Sequence, residues 1–297
     1  MRIHSQLVQV VGLLVGLVGV AMLASCSARP ATDDAERIVV SIPPLKSLVQ
    51  AMVPDAEVVV LMPVGSSIHS ASWEPSAVTA IAKADLVVTV GLGLEPGLRA
   101  LVDRAGTPVV EMASSLGIEG DGHDHDHGHD HDHDHDHDHA VDPHLWLDPV
   151  LVREFLPLLQ DAMLEAGLRV TVDGAMADVN EVDDACRSRL ESLRGRTIVT
   201  HHAAWSRFAD RYGLVVAEVI RPFESAPTPA EIARVVRRIQ DLEVGAIFVE
   251  PQYDAREAKR LADEAGVVLG TLDPMGDGNW KAMMLANLDA LVDTLGR

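Results

Sequence analysis

The chain has 297 residues and a formal net charge of −21, with 45 Asp and Glu against 24 Lys and Arg. That balance excludes a nucleic-acid surface, which needs a cationic excess, and it favours cations as ligands. Hydrophobic residues make up 47% and aromatics 3%. The chain is therefore globular, long enough for two lobes of ordinary domain size, and poor in the rings on which sugars or bases stack.

At the N-terminus Arg2 precedes an apolar stretch over residues 7–23, which ends in Leu23-Ala24-Ser25-Cys26. The short, Gly-broken apolar run beside small residues has the form of an export signal. Leu-Ala-Ser-Cys resembles a bacterial lipobox, so Cys26 is predicted to be the lipidated N-terminus of the mature protein. A small, polar tether follows to residue 36. The one remaining cysteine, Cys186, then has no disulfide partner and is expected to be a buried helix residue.

Strand-like apolar runs occur at residues 38–42, 58–62, 86–90 and 109–112, and again at 197–200, 215–220, 246–250 and 267–272. Helix-like segments separate them, a rhythm that predicts an α/β fold of two lobes, each with a four-stranded, mostly parallel sheet. Thr228-Pro229-Ala230-Glu231 combines a capping box with proline at the first helical position. Asp254-Ala255-Arg256-Glu257 predicts another helix start of the same kind. Between the two sets of strands, residues 149–193 lack any strand run, and two helices are expected there, the second a long connector over about 174–193.

Residues 123–139 alternate His with Asp apart from Gly128 and contain nothing apolar, so this tract can build no core and is predicted to be disordered. Its nine imidazoles, His123, His125, His127, His129, His131, His133, His135, His137 and His139, make it a weak auxiliary metal-binding antenna.

Of the 14 histidines, only His69, His144, His201 and His202 lie in the mature chain outside this tract. His69 follows the second strand run, His144 the fourth, and His201 and His202 close the fifth, while Asp273 follows the eighth. In open α/β sheets ligands bind beyond the carboxyl ends of the strands. Imidazoles with a carboxylate and no thiolate suit zinc.

Four segments carry a family resemblance. They are Gly65-Ser66-Ser67-Ile68-His69 with Pro75 beyond it, Asp142-Pro143-His144-Leu145-Trp146-Leu147-Asp148-Pro149, Thr200-His201-His202-Ala203 before Tyr212-Gly213-Leu214, and Leu272-Asp273-Pro274-Met275-Gly276. Together, and in this order, they resemble the metal-binding solute-binding lipoproteins of zinc and manganese ABC importers, over essentially the whole chain. The resemblance implies two lobes joined by a long helix, with a metal held at their interface by His69, His144, His201 and Asp273. His201 stands where manganese-type members carry Glu, which favours Zn2+ over Mn2+. His202 stands where Asp is common. Neighbours on a strand face opposite ways, which favours His201 over His202 as the third ligand.

The expected organisation is a signal peptide over 1–25, a tether over 26–36, an N-terminal lobe over 37–148 with the tract at 121–140, connecting helices over 149–194, and a C-terminal lobe over 195–297. The expected protein is a monomeric, extracytoplasmic, lipid-anchored receptor that passes Zn2+ to an importer's permease and ATPase, not an enzyme and not a nucleic-acid binder. A closed shell of four protein ligands leaves no position for substrate or activated water, and no His-Glu-x-x-His is present, which disfavours a zinc hydrolase. A surface adhesin or metal-storage lipoprotein stays open.

Overall fold

The computed structural model describes residues 35–66, 73–120, 141–219 and 229–296. Among these, the first half contains β1 (Arg37–Val40), α1 (Pro43–Met52), β2 (Glu57–Val60), α2 (Pro75–Ala82), β3 (Leu86–Thr89), α3 (Leu98–Ala105), β4 (Val109–Glu111) and the short α4 (Met112–Ser115). Two long helices follow, α5 (Pro149–Glu165) and α6 (Asp173–Leu190). The second half holds β5 (Thr197–Thr200), α7 (Ser206–Tyr212), β6 (Val215–Val219), α8 (Pro229–Asp241), β7 (Ala246–Val249), α9 (Arg256–Ala265), β8 (Val268–Thr271) and α10 (Trp280–Leu295).

The strands form two four-stranded sheets, ordered β2-β1-β3-β4 and β6-β5-β7-β8, and every pairing is parallel. The expected fold class is therefore borne out, with wholly parallel sheets. All eight strand runs form, most a residue or two shorter than their apolar stretch. The connector begins at Asp173 as an α-helix and finishes as a 3-10 turn over Glu191–Leu193. The start of α9 differs slightly from expectation. Asp254 accepts from the Arg256 backbone N at 3.0 Å, an Asx turn that delays the helix to Arg256.

Helices on both faces bury both sides of each sheet, which is why the strands read as unbroken apolar runs. Ile38, Val40, Leu86 and Val88 face one way, while Val39 and Val87 meet Ile81, Leu98 and Val102 on the other. In the second sheet Ile198, Ala246 and Phe248 face inward, and Val199, Ile247 and Val249 pack with Ile232, Ile239 and Leu261. The two inner faces belong to one continuous core, filled between them by Phe155, Val179, Leu190, Phe208 and Leu288. Cys186 sits fully buried in this core, and burial pushes its thiol up to about 12, so it stays protonated.

Directional bonds fix the halves against each other. The Trp146 indole Nε1 donates to the Pro274 carbonyl at 2.6 Å, and the Trp280 Nε1 donates to the Trp146 carbonyl at 2.7 Å, with both rings fully buried. Arg211 of α7 grips Asp148, the N-cap of α5, through Nε at 3.0 Å to both oxygens and Nη2 at 2.7 Å to Oδ2. Trp280→Phe should leave the Trp146 carbonyl unpaired in the core and cost about 1–3 kcal/mol. Urea unfolding followed by circular dichroism checks this, and an unchanged midpoint would show that the bond contributes nothing net.

Candidate metal centre

Within the second sheet the chain runs from β5 outward to β6, then returns to place β7 on the other side of β5. This reversal makes the gap between β5 and β7 the topological switch point, where the crevice of such a sheet lies. His201 and His202 leave the end of β5 there, and Glu250 leaves the end of β7. The first sheet has the same order, with its switch point between β1 and β3.

His144 lies ahead of the 3-10 turn Leu145–Leu147, 3% exposed, with its Nδ1 2.8 Å from Asp142 Oδ1. The same oxygen accepts from the His144 backbone N at 3.0 Å, and Arg207 Nε donates to the Asp142 carbonyl at 2.9 Å. His202 Nδ1 is in direct hydrogen-bond contact with Glu250 Oε1. A carboxylate only accepts, so each imidazole donates from Nδ1 and presents its Nε2 on the far side of the ring. These two Nε2 atoms meet at 3.0 Å. Two nitrogens held by one tetrahedral zinc stand roughly 3.3 Å apart, given Zn–N bonds of about 2.0–2.1 Å. This is the approach of a nitrogen–nitrogen hydrogen bond whose donor depends on the tautomer, and its length is also near the spacing of two imidazoles on one cation.

Asp273 is held by its backbone and one oxygen. Asn287 of α10 accepts from its N–H at 2.8 Å and donates to its carbonyl at 2.7 Å. Its Oδ1 accepts from Met275 N, Gly276 N and Gln252 Nε2 at 2.9–3.0 Å. Among the described residues no hydrogen bond involves its Oδ2, which is left for another partner.

His201 lies outside the His144–His202 pair. Its ring packs on Tyr253 at 4.1 Å, its Nδ1 is 3.8 Å from Glu250 Oε1, and that nitrogen is buried without a hydrogen-bond partner among the described residues. The strand-alternation argument does not extend to this pair, because β5 ends at Thr200 and the chain bends through 201–202, with Thr200 Oγ1 donating to the His202 carbonyl. His69, the tract histidines and Cys26 lie outside the described residues.

Sequence reasoning did not single out Glu250, Asp142 or Asn287. Glu250 stood in view as the last residue of a strand run, the position that drew notice to the histidines. Asp142 lay inside the quoted octet. Asn287 is mid-helix, and no local signal marks it.

Burial pushes the His144 and His201 imidazoles below the ordinary histidine range, against the pull of Asp142 on the first and Glu250 on the second. Both are then neutral near pH 7, the form that binds metals.

The fold and this cluster define a two-lobed α/β binding protein with convergent imidazole and carboxylate donors. The chain belongs to the ZnuA family, described as zinc-uptake complex component A, periplasmic, whose model matches residues 38–294. It is 30% identical over 292 residues to the high-affinity zinc uptake system protein ZnuA of Paracoccus denitrificans, covering 85% of this chain and 87% of that one. It is 26% identical over 265 residues to the manganese-binding lipoprotein MntA of Halalkalibacterium halodurans, covering 82% of each. Among solved structures, a crystal structure of ZnuA superposes with a TM-score of 0.70 at 21% identity, covering 88% of this chain and all of that one. The expected family is thus confirmed.

A depressed histidine pKa in the folded state means that the unfolded chain binds more protons as the pH falls below its own value of about 6.5. Metal-free protein should therefore lose stability from about pH 6.5 downward, a loss that continues until the folded imidazoles also protonate. Urea midpoints at about pH 7.5 and about pH 5.5 measure it, and His144→Asn should flatten the dependence.

Proposed function

We propose that this protein captures Zn2+ in the seam between its lobes and passes it to a membrane importer made of a permease and an ATPase. The observation that carries the reading is the 3.0 Å approach of the His144 and His202 Nε2 atoms, each backed by a carboxylate on its other nitrogen. A carboxylate behind a metal-bound imidazole fixes its tautomer and raises its basicity. Asp273 supplies the oxygen donor from the second half, and His69 completes the shell. Of the two adjacent histidines, this geometry favours His202 over His201 as the third ligand.

Three imidazoles and one carboxylate suit zinc better than manganese, which prefers oxygen donors. The zinc-uptake names of the family and of the Paracoccus relative agree with that choice, while the manganese-binding relative makes Mn2+ the second candidate. The lipoprotein names of relatives support Cys26 as the anchor on the extracytoplasmic face, and no described helix is long and apolar enough to cross a membrane. The His/Asp tract raises the local metal concentration without forming part of the tight site.

Competition with a fluorescent chelator, in a background whose tract histidines are replaced by asparagine, tests the shell. His202→Ala should weaken tight zinc binding by more than about a hundredfold, because removing even an outer carboxylate typically costs 10–100-fold. Asp142→Asn should fall within that smaller range, and His201→Ala should leave tight affinity nearly unchanged. If His201→Ala proves the more damaging, the third ligand returns to His201. If none of the three weakens binding, the site lies elsewhere.

A further inference from the structure

His201 departs from the usual rule that buried polar groups are paired. The residue is 8% exposed, its ring is fixed against Tyr253, and among the described residues its Nδ1 has no hydrogen-bond partner although a carboxylate oxygen stands 3.8 Å away. That separation is too long for a hydrogen bond, whose N···O distance is about 2.7–3.2 Å. It is within about 0.5 Å of the roughly 3.3 Å that separates a nitrogen and an oxygen bound to one tetrahedral zinc. The carboxylate is Glu250, 5% exposed, which already accepts from His202. Ligand atoms of His201, His202 and Glu250 all lie within 4.8 Å of one another.

We propose that His201 Nδ1 and Glu250 form a second cation position beside the main shell, a staging site for a divalent transition metal of borderline softness. The inference rests on the reading of the seam as a metal site. Zinc, nickel and copper suit its nitrogen and oxygen donors. One oxygen of Glu250 can coordinate the staged ion while the carboxylate still accepts from His202 Nδ1, so occupation of the staging site leaves the main-shell tautomer in place. The two positions flank the same imidazole. Two divalent ions there repel four times as strongly as two unit charges at the same distance. The sites are therefore filled alternately, and an ion at His201 is one that has not yet reached, or has just left, the His144–His202 pair.

Crystals of the full chain soaked in zinc, with anomalous diffraction at the zinc edge, locate each ion directly whatever the tract binds. In the unaltered protein the main peak should lie between His144 Nε2 and His202 Nε2. In His144→Asn, which breaks the main shell, a peak should appear within about 2.0–2.2 Å of His201 Nδ1 and a Glu250 oxygen. His144→Asn combined with His201→Ala should abolish it. Should His144→Asn fail to fold, Asp273→Asn weakens the main shell from the other half and makes the same test. A water without anomalous signal between His201 and Glu250, or no peak there in either variant, overturns the staging site. Absence of the main peak from the unaltered protein overturns the underlying reading instead, so the two failures are distinct.

Discussion

The seam depends on one pair of hydrogen bonds, from the Trp146 indole to the Pro274 carbonyl and from the Trp280 indole to the Trp146 carbonyl. An indole N–H buried without a partner is costly, so these bonds admit only a narrow range of relative positions for the halves. Trp146 stands two residues after His144, and Pro274 directly follows Asp273. The contact that satisfies the indoles therefore also constrains the separation of His144 and Asp273. Arg211 on Asp148 and Arg207 on the Asp142 carbonyl brace the same octet from α7. A seam so anchored is held in place before any ligand arrives, and a site formed in advance costs little ordering on binding.

The two sheets share one strand order, yet their switch points are used differently. In the first, Glu95 is buried and accepts from Ser41 Oγ at 2.6 Å, Val90 N at 2.8 Å and Gly91 N at 3.0 Å. Burial raises its carboxyl above the ordinary glutamate range despite these donors. Backbone and hydroxyl groups thus donate to both oxygens of this glutamate. At the equivalent place in the second sheet, Glu250 meets imidazoles, whose other nitrogens turn outward. Equal topology provides two switch points, and the residue types at the strand exits decide what each presents.

Much of the fold was legible because it rests on local, periodic signals. Eight apolar runs became eight strands, and the helix starting at Pro229 and the long connector formed close to where caps and periodicity placed them. Asp273 does follow the carboxyl end of β8, and His144 meets His202 just beyond the carboxyl end of β5. The surroundings of His201 and His202 were not legible, because the strand ends at Thr200 and His202 meets Glu250 and His144, 48 and 58 residues away in sequence.

By itself, the sequence determined the class of fold, the acidic balance and the tract, and it put forward histidines and Asp273 as candidate ligands, since each follows from composition or short-range pattern. Only the tertiary structure decided which nitrogens face one another, that Asp142 and Glu250 stand behind them, and that Asn287 clamps Asp273 from α10. Those are relations between side chains brought together by burial of a shared core, and no local pattern encodes a distance across it.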